Sequence, residues 1–184
     1  VTAVVVTWRI DVQVTQLFGD GEPSAALTIS KGPQPGDAWP AQPFRLLDGT
    51  LVSLRHSDAT RLLLFVAATW PVSRKIIPLA QDFCRREHVD LMFAGDDAVE
   101  TQGRFAREAG MMSARFINDP ALGRALEVDK LPAAFLLSQE GVILSRGLVN
   151  SREHLESLLN AWESGFSTVQ DYITHTKRQR SAAA

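Results

Sequence analysis

Thiol chemistry has almost nothing to work with in this 184-residue sequence, because Cys84 is its one cysteine. No intramolecular disulfide and no cysteine-rich zinc site can form from it. Excess positive charge is missing too: 19 lysines and arginines against 21 aspartates and glutamates leave a net charge of −2. A nucleic-acid partner, which needs a strongly basic face, is therefore not expected. The one basic cluster, Lys177, Arg178 and Arg180, reads as a solvated tail. Long apolar runs are absent as well, since Val1 to Trp8 falls well short of the roughly 20 residues of a membrane span and lacks a signal-peptide layout. The chain as given reads as soluble, with membrane attachment expected only through an anchor not present in it. Finally, His56, His88, His154 and His175 are dispersed and form no H-x-x-x-H pair. No metal or other cofactor is expected, and each histidine is read as a surface residue.

What is present is ample apolar material, 45% of residues, for one main core. Residues 1–31 read as an extension, with a strand suggested by Ile10, Val12 and Val14 and a turn by Gly19, Asp20, Gly21 and Pro23. From Lys31 to Pro43 the prolines and glycines keep any regular element from propagating. Phe44 to Leu54 has the form of a hairpin around Asp48-Gly49.

Strands and helices then alternate. Leu62 to Ala67 is a strand buried on both faces, Ser73 to Glu87 a helix, Val89 to Ala94 a strand and Ala98 to Ala109 a helix. Arg115 to Ile117 is a short extended piece and Pro120 to Glu127 a short helix, while Pro132 to Ser138 and Val142 to Arg146 form a hairpin. Asn150 and Glu153 are placed as a capping box for a last helix, which presents Leu155, Leu158, Leu159 and Trp162 as its apolar face and ends at Gly165. This order predicts an α/β fold: a mixed parallel and antiparallel sheet with helices on both faces.

The chemistry belongs at the junction Thr69-Trp70-Pro71-Val72-Ser73, where a buried strand meets a helix and backbone amides point outward. Pro71 suits the helix start, and Pro78 should kink the helix farther along. Lys130-Leu131-Pro132 runs straight into another buried strand, a place suited to a cis peptide bond and to backbone pairing with a partner chain. Asp96 and Asp97 stand before a helix, where capping accounts for them. Trp70 has two readings, an exposed anchor for a partner, which is favoured, or an aromatic plug over the groove. Cys84, beside Phe83 on the same helix, reads as core filler.

Together these features resemble the thioredoxin superfamily, in which a Cys-Pro-x-Cys motif opens a proline-kinked helix opposite a cis-proline loop. The resemblance puts Trp70 at the attacking cysteine and Ser73 at the resolving one, with Pro71 and Val72 between. It implies a thioredoxin-like three-layer α/β/α sandwich over residues 32–165, with residues 1–31 an N-terminal extension and 166–184 a tail. A narrower similarity, to the MauD family of methylamine dehydrogenase accessory proteins, is carried by residues 147–157 and by the approach from Gly32-Pro33 through Asp48-Gly49 to Leu63-Leu64-Phe65.

That similarity implies a periplasmic chaperone or maturation role with a protein client, an amine dehydrogenase subunit among the candidates. An indole cannot replace a thiolate, and an alcohol forms no disulfide. The expectation is therefore a protein without catalytic residues, whose Trp70, Pro71, Val72, Ser73, Leu131 and Pro132 bind a client. The alternative is a thiol-disulfide oxidoreductase or peroxidase-like enzyme that relies on Cys84 or on an altered Cys-x-x-Cys site, and it requires an accessible Cys84.

Overall fold

A computed structural model describes residues 31–164. The expectations for the N-terminal extension, Gly165, His175 and the basic tail lie outside the described residues. The central strand β3 (Arg61–Phe65) is buried along its whole length. Its side chains alternate between two apolar layers, with Leu62 and Leu64 on one face and Leu63 and Phe65 on the other. Such a strand is stable only when both faces are covered, which fixes the layered architecture. Chain order is β1 (Phe44–Arg45), β2 (Leu51–Val52), β3, α1 (Pro71–Glu87), β4 (Asp90–Gly95), α2 (Val99–Glu108), a 3-10 turn at Ser113–Arg115, β5 (Phe116–Asn118), α3 (Pro120–Ala125), β6 (Ala133–Leu137), β7 (Ile143–Leu148) and α4 (Arg152–Glu163).

The main sheet has the order β5-β4-β3-β6-β7. Strand β3 pairs in parallel with β4 and antiparallel with β6, and parallel β4–β5 and antiparallel β6–β7 pairs extend it on either side. The mixed sheet and the α/β class are those the sequence predicts. One face is covered by α1 through Ile76, Ile77, Ala80 and Phe83, by α2 through Phe105 and by α4 through Leu155 and Leu158. The other is covered by the β1–β2 hairpin, by Leu122 of α3, and by Trp39 and Trp70. Each such aliphatic or aromatic side chain contributes about 1.5–3 kcal/mol through burial. The turn of the small hairpin is built as expected: Gly49 takes φ 90°, and the Asp48 carboxylate accepts from the amide and hydroxyl of Thr50.

The segment from Lys31 to Pro43 has no regular helix or strand, yet it is firmly held. Trp39 is wholly buried and meets Phe135 edge-on at 5.9 Å, and Ala38 bridges to Val142. The Arg146 guanidinium lies over the Phe135 ring and donates to the carbonyls of Lys31 and Pro33. Gly141, at φ 78°, passes so close to Arg55 that a Cβ would lie 2.6 Å from its Cα, so only glycine fits there.

Three local expectations are corrected. Ser151, not Asn150, caps α4, its hydroxyl accepting from His154 N, while Asn150 is buried and donates its own amide to His154 Nδ1. His154 is therefore an interior residue and not a surface one, because it satisfies a backbone donor that would otherwise be orphaned. Trp162 is 38% exposed and leaves the apolar face of α4 to Ala161, the residue one turn beyond Leu158 on the inward side.

Helices α1 and α4 are tied by Asp82, which meets Arg152 at 2.9 Å, Arg86 at 3.0 Å and Arg85 at 2.6 Å. The hydrogen bond from Arg152 foremost, then those from Arg85 and Arg86, holds the Asp82 carboxyl below its usual range. A folded-state value lowered in this way stabilises the fold above the ordinary aspartate value of 3.8, and that contribution is lost as pH falls through the lowered one. Asp82→Asn should therefore lower the urea midpoint at neutral pH, by a small amount that high salt erases. As pH falls below 3.8 and through the lowered value, the wild type and the variant should converge, which urea titrations at stepped pH will check.

Candidate functional site

Helix α1 begins at Pro71, two residues earlier than the sequence indicates, because proline at the first turn gives up no needed amide and presets φ. Trp70 stands at its N-cap in an extended conformation with no side-chain cap. Its carbonyl accepts from Arg74 N, and its amide donates to Ala67 O at 3.2 Å. Pro78 lies inside the helix on the exposed side. The Leu131–Pro132 peptide bond is cis.

The favoured reading of Trp70 as an exposed anchor does not hold. The side chain is 4% exposed and belongs to the apolar layer that includes Phe65, Ala133 and Leu148, so Trp70 is a core residue and closes no groove. The junction is short and lies over an apolar layer, and turning the large indole inward removes more apolar surface from water than leaving it on the turn. Ser73 is wholly buried as well, and its Oγ accepts from Ala67 N at 3.1 Å. The hydroxyl thus ties down the loop before the helix. Among the described residues no imidazole or carboxylate is hydrogen-bonded to it as a general base, and neighbouring Arg74 points away to Glu108 at 3.1 Å. Of the other predicted contact residues, Pro71 is exposed, Val72 and Leu131 are half-buried and Pro132 is buried.

Cys84 is 3% exposed in the α1 layer. Burial, with a smaller push from the Asp90 charge, raises its thiol to about 12. It lies about 16 Å along the helix from Ser73. The core-filler reading fits this position, and a thiolate there is disfavoured.

Beside Trp70 and Leu131 opens a cavity of about 330 Å³ at the carboxyl ends of β3 and β4. The sequence reading missed what lines it: Asp96 and Asp97 after β4, Asp119 after β5, and Asp129 before the Leu131–Pro132 turn. Asp96 and Asp97 are not helix caps, since the N-cap of α2 is Ala98, with no side-chain cap, and Asp97 Oδ2 accepts from Ala68 N at 3.4 Å. Asp119 does cap α3, accepting from Ala121 N, and also takes Arg45 N at 3.1 Å. A signal was available in the sequence: acidic residues that come directly after successive parallel strands must meet at one edge of the sheet, where open α/β sheets place their ligand crevices.

A strand-helix-strand sheet, a cis-proline turn and a crevice facing the start of a proline-containing helix together define a thioredoxin-like protein. The fold agrees with a solved thioredoxin-like protein from Aeropyrum pernix, at TM-score 0.57 and 17% identity over 66% of this chain and 89% of that one. Among curated proteins, the methylamine utilization protein MauD of Methylorubrum extorquens is 35% identical over 175 residues, covering 94% of this chain and 85% of the relative. The MauD of Paracoccus versutus is 35% identical over 169 residues, 90% of this chain and 85% of the relative. No protein-family model matches the chain. By these relatives, the chain belongs to the MauD family.

The buried junction sets two expected outcomes. Trp70→Ala should cost about 3–5 kcal/mol of stability, as a fully enclosed aromatic does, whereas an exposed side chain would cost well under 1. Chemical denaturation will distinguish these values. Cys84 should stay unmodified by maleimide in the native protein at pH 7 and label fully in denaturant, as mass spectrometry would report.

Proposed function

We propose that this protein is a redox-inactive member of its family, in which residues 32–165 form a domain that holds a polypeptide client during assembly. The methylamine utilization name of its relatives supports an amine dehydrogenase subunit as that client, matured in the periplasm. The observation that carries the reading is that both positions of the family's redox pair are occupied by buried groups without sulfur, Trp70 and Ser73, inside an intact fold. Electron transfer through that pair has no chemical means.

Recognition remains available. Leu131 makes no backbone hydrogen bond among the described residues, which supports pairing with an extended client chain there, as in strand addition. Half-buried Val72 and exposed Pro71 supply an apolar border beside it. Trp70 and Ser73 serve this surface from below, by packing and by holding the loop, and do not touch the client. Among the described residues no helix is long and apolar enough to cross a membrane. The alternative of thiol chemistry at Cys84 is opposed by the burial of that residue and its raised thiol.

The test is co-expression with the small subunit of methylamine dehydrogenase. Wild type should raise the yield of soluble small subunit, and Leu131→Asp with Val72→Asp should abolish the gain while leaving the circular dichroism spectrum unchanged. Insulin reduction should be absent. A steady rate from the native sequence, or an undiminished gain from the doubly substituted protein, would overturn the reading.

A further inference from the structure

We propose that His154 is a positioning residue for the client: from inside the protein, its imidazole fixes the Leu131–Pro132 turn on which the client chain pairs. This rests on the client-holding reading above and adds how the pairing edge is kept in place. The link is continuous. His154 Nδ1 accepts from Asn150 N at 3.1 Å, and the amide one residue back, Val149 N, donates to Pro132 O at 3.0 Å. Leu148, farther back again, pairs with Ala133, the residue after Pro132. Val149, Asn150 and Pro132 are all buried, and half-buried Leu131 is where this chain of contacts comes to the surface.

The reach of the imidazole sets it apart from a helix cap. Ser151 caps α4 by accepting from His154 N, and in a capping box the side chain at that third helical position turns back to the amide of the cap residue itself. His154 passes the cap and takes the amide before it, in the chain that has just left β7. A glutamate here would carry charge into a wholly buried site, whereas an imidazole accepts while neutral.

The imidazole is itself anchored. Ser145 Oγ of β7 donates to Leu158 O at 2.8 Å, one turn beyond His154, so α4 is tied to the sheet that carries the turn. Losing the acceptor while keeping the helix would free Asn150 N and loosen Val149 against Pro132 O. Leu131 would then no longer be presented in one conformation, and a client would have to order the turn as it binds, at a cost in affinity.

Asparagine can place its amide oxygen where Nδ1 lies, and glutamine carries the same group one carbon farther out, so the two substitutions separate the acceptor's position from its polarity. The assay is protection of the urea-denatured small subunit of methylamine dehydrogenase from aggregation on dilution. It is read by light scattering with the purified chain, at a temperature where circular dichroism shows each variant folded. His154→Asn should protect nearly as the wild type does, and His154→Gln should need about tenfold more protein for half protection. Leu158→Ala, which removes packing from the same helix, should lower the urea midpoint yet protect as the wild type does. Equal protection by all four proteins would overturn the positioning role and leave the client reading standing. So would a loss with His154→Asn or Leu158→Ala as large as with His154→Gln. No protection by the wild type would overturn both. Amide exchange in the wild type needs no variant to fold: Val149 and Asn150 should exchange as slowly as Leu63 of the buried β3, and fast exchange at either would overturn the link.

Discussion

Double-sided burial of β3 is the constraint on which the whole structure rests. A five-residue strand with no solvent face demands an apolar layer above and below, and the chain supplies α1, α2 and α4 for one and the hairpin, α3 and two tryptophans for the other. The second layer has few helical residues to draw on, so it is completed from segments without regular structure. Trp39 comes from a proline-rich loop and Trp70 from the junction before α1, and both serve as core. Trp70, at the junction before α1, is thus part of the packing that covers β3 and β6.

The interior also sets the roles of its polar groups. Ser73 and His154 are both buried, and each satisfies a backbone amide at the start of a helix: Ala67 N before α1 and Asn150 N before α4. Neither is poised for chemistry, because each is wholly buried and holds a backbone amide in place. Arg61 is the charged counterpart, held at 2.7 Å from Asp90, which Arg115 meets from the other side at 2.8 Å. In all three cases, burial of a polar group is matched by a specific partner.

Strand and helix order was legible in the sequence because continuous apolar runs, proline positions and helical spacing are local signals. The strand pattern from Leu62 onward, the helix opened by Pro71 and the hairpin at Asp48-Gly49 all depend on residues near one another. The helix caps were misplaced by a residue because several small polar groups, Asn150 and Ser151 among them, compete for the same role, and tertiary burial decides. The inward turn of Trp70 was not legible, since nothing within the junction itself reveals that an apolar layer lies beneath it. The acidic crevice failed to show for a related reason: Asp96, Asp119 and Asp129 are far apart in sequence and meet only once β4 and β5 are set side by side.

Sealing the single thiol inside the α1 layer has a consequence for the company this protein can keep. A reactive sulfur on another molecule meets no exposed thiol on the described surface, so a mixed disulfide through Cys84 requires the α1 layer to open first.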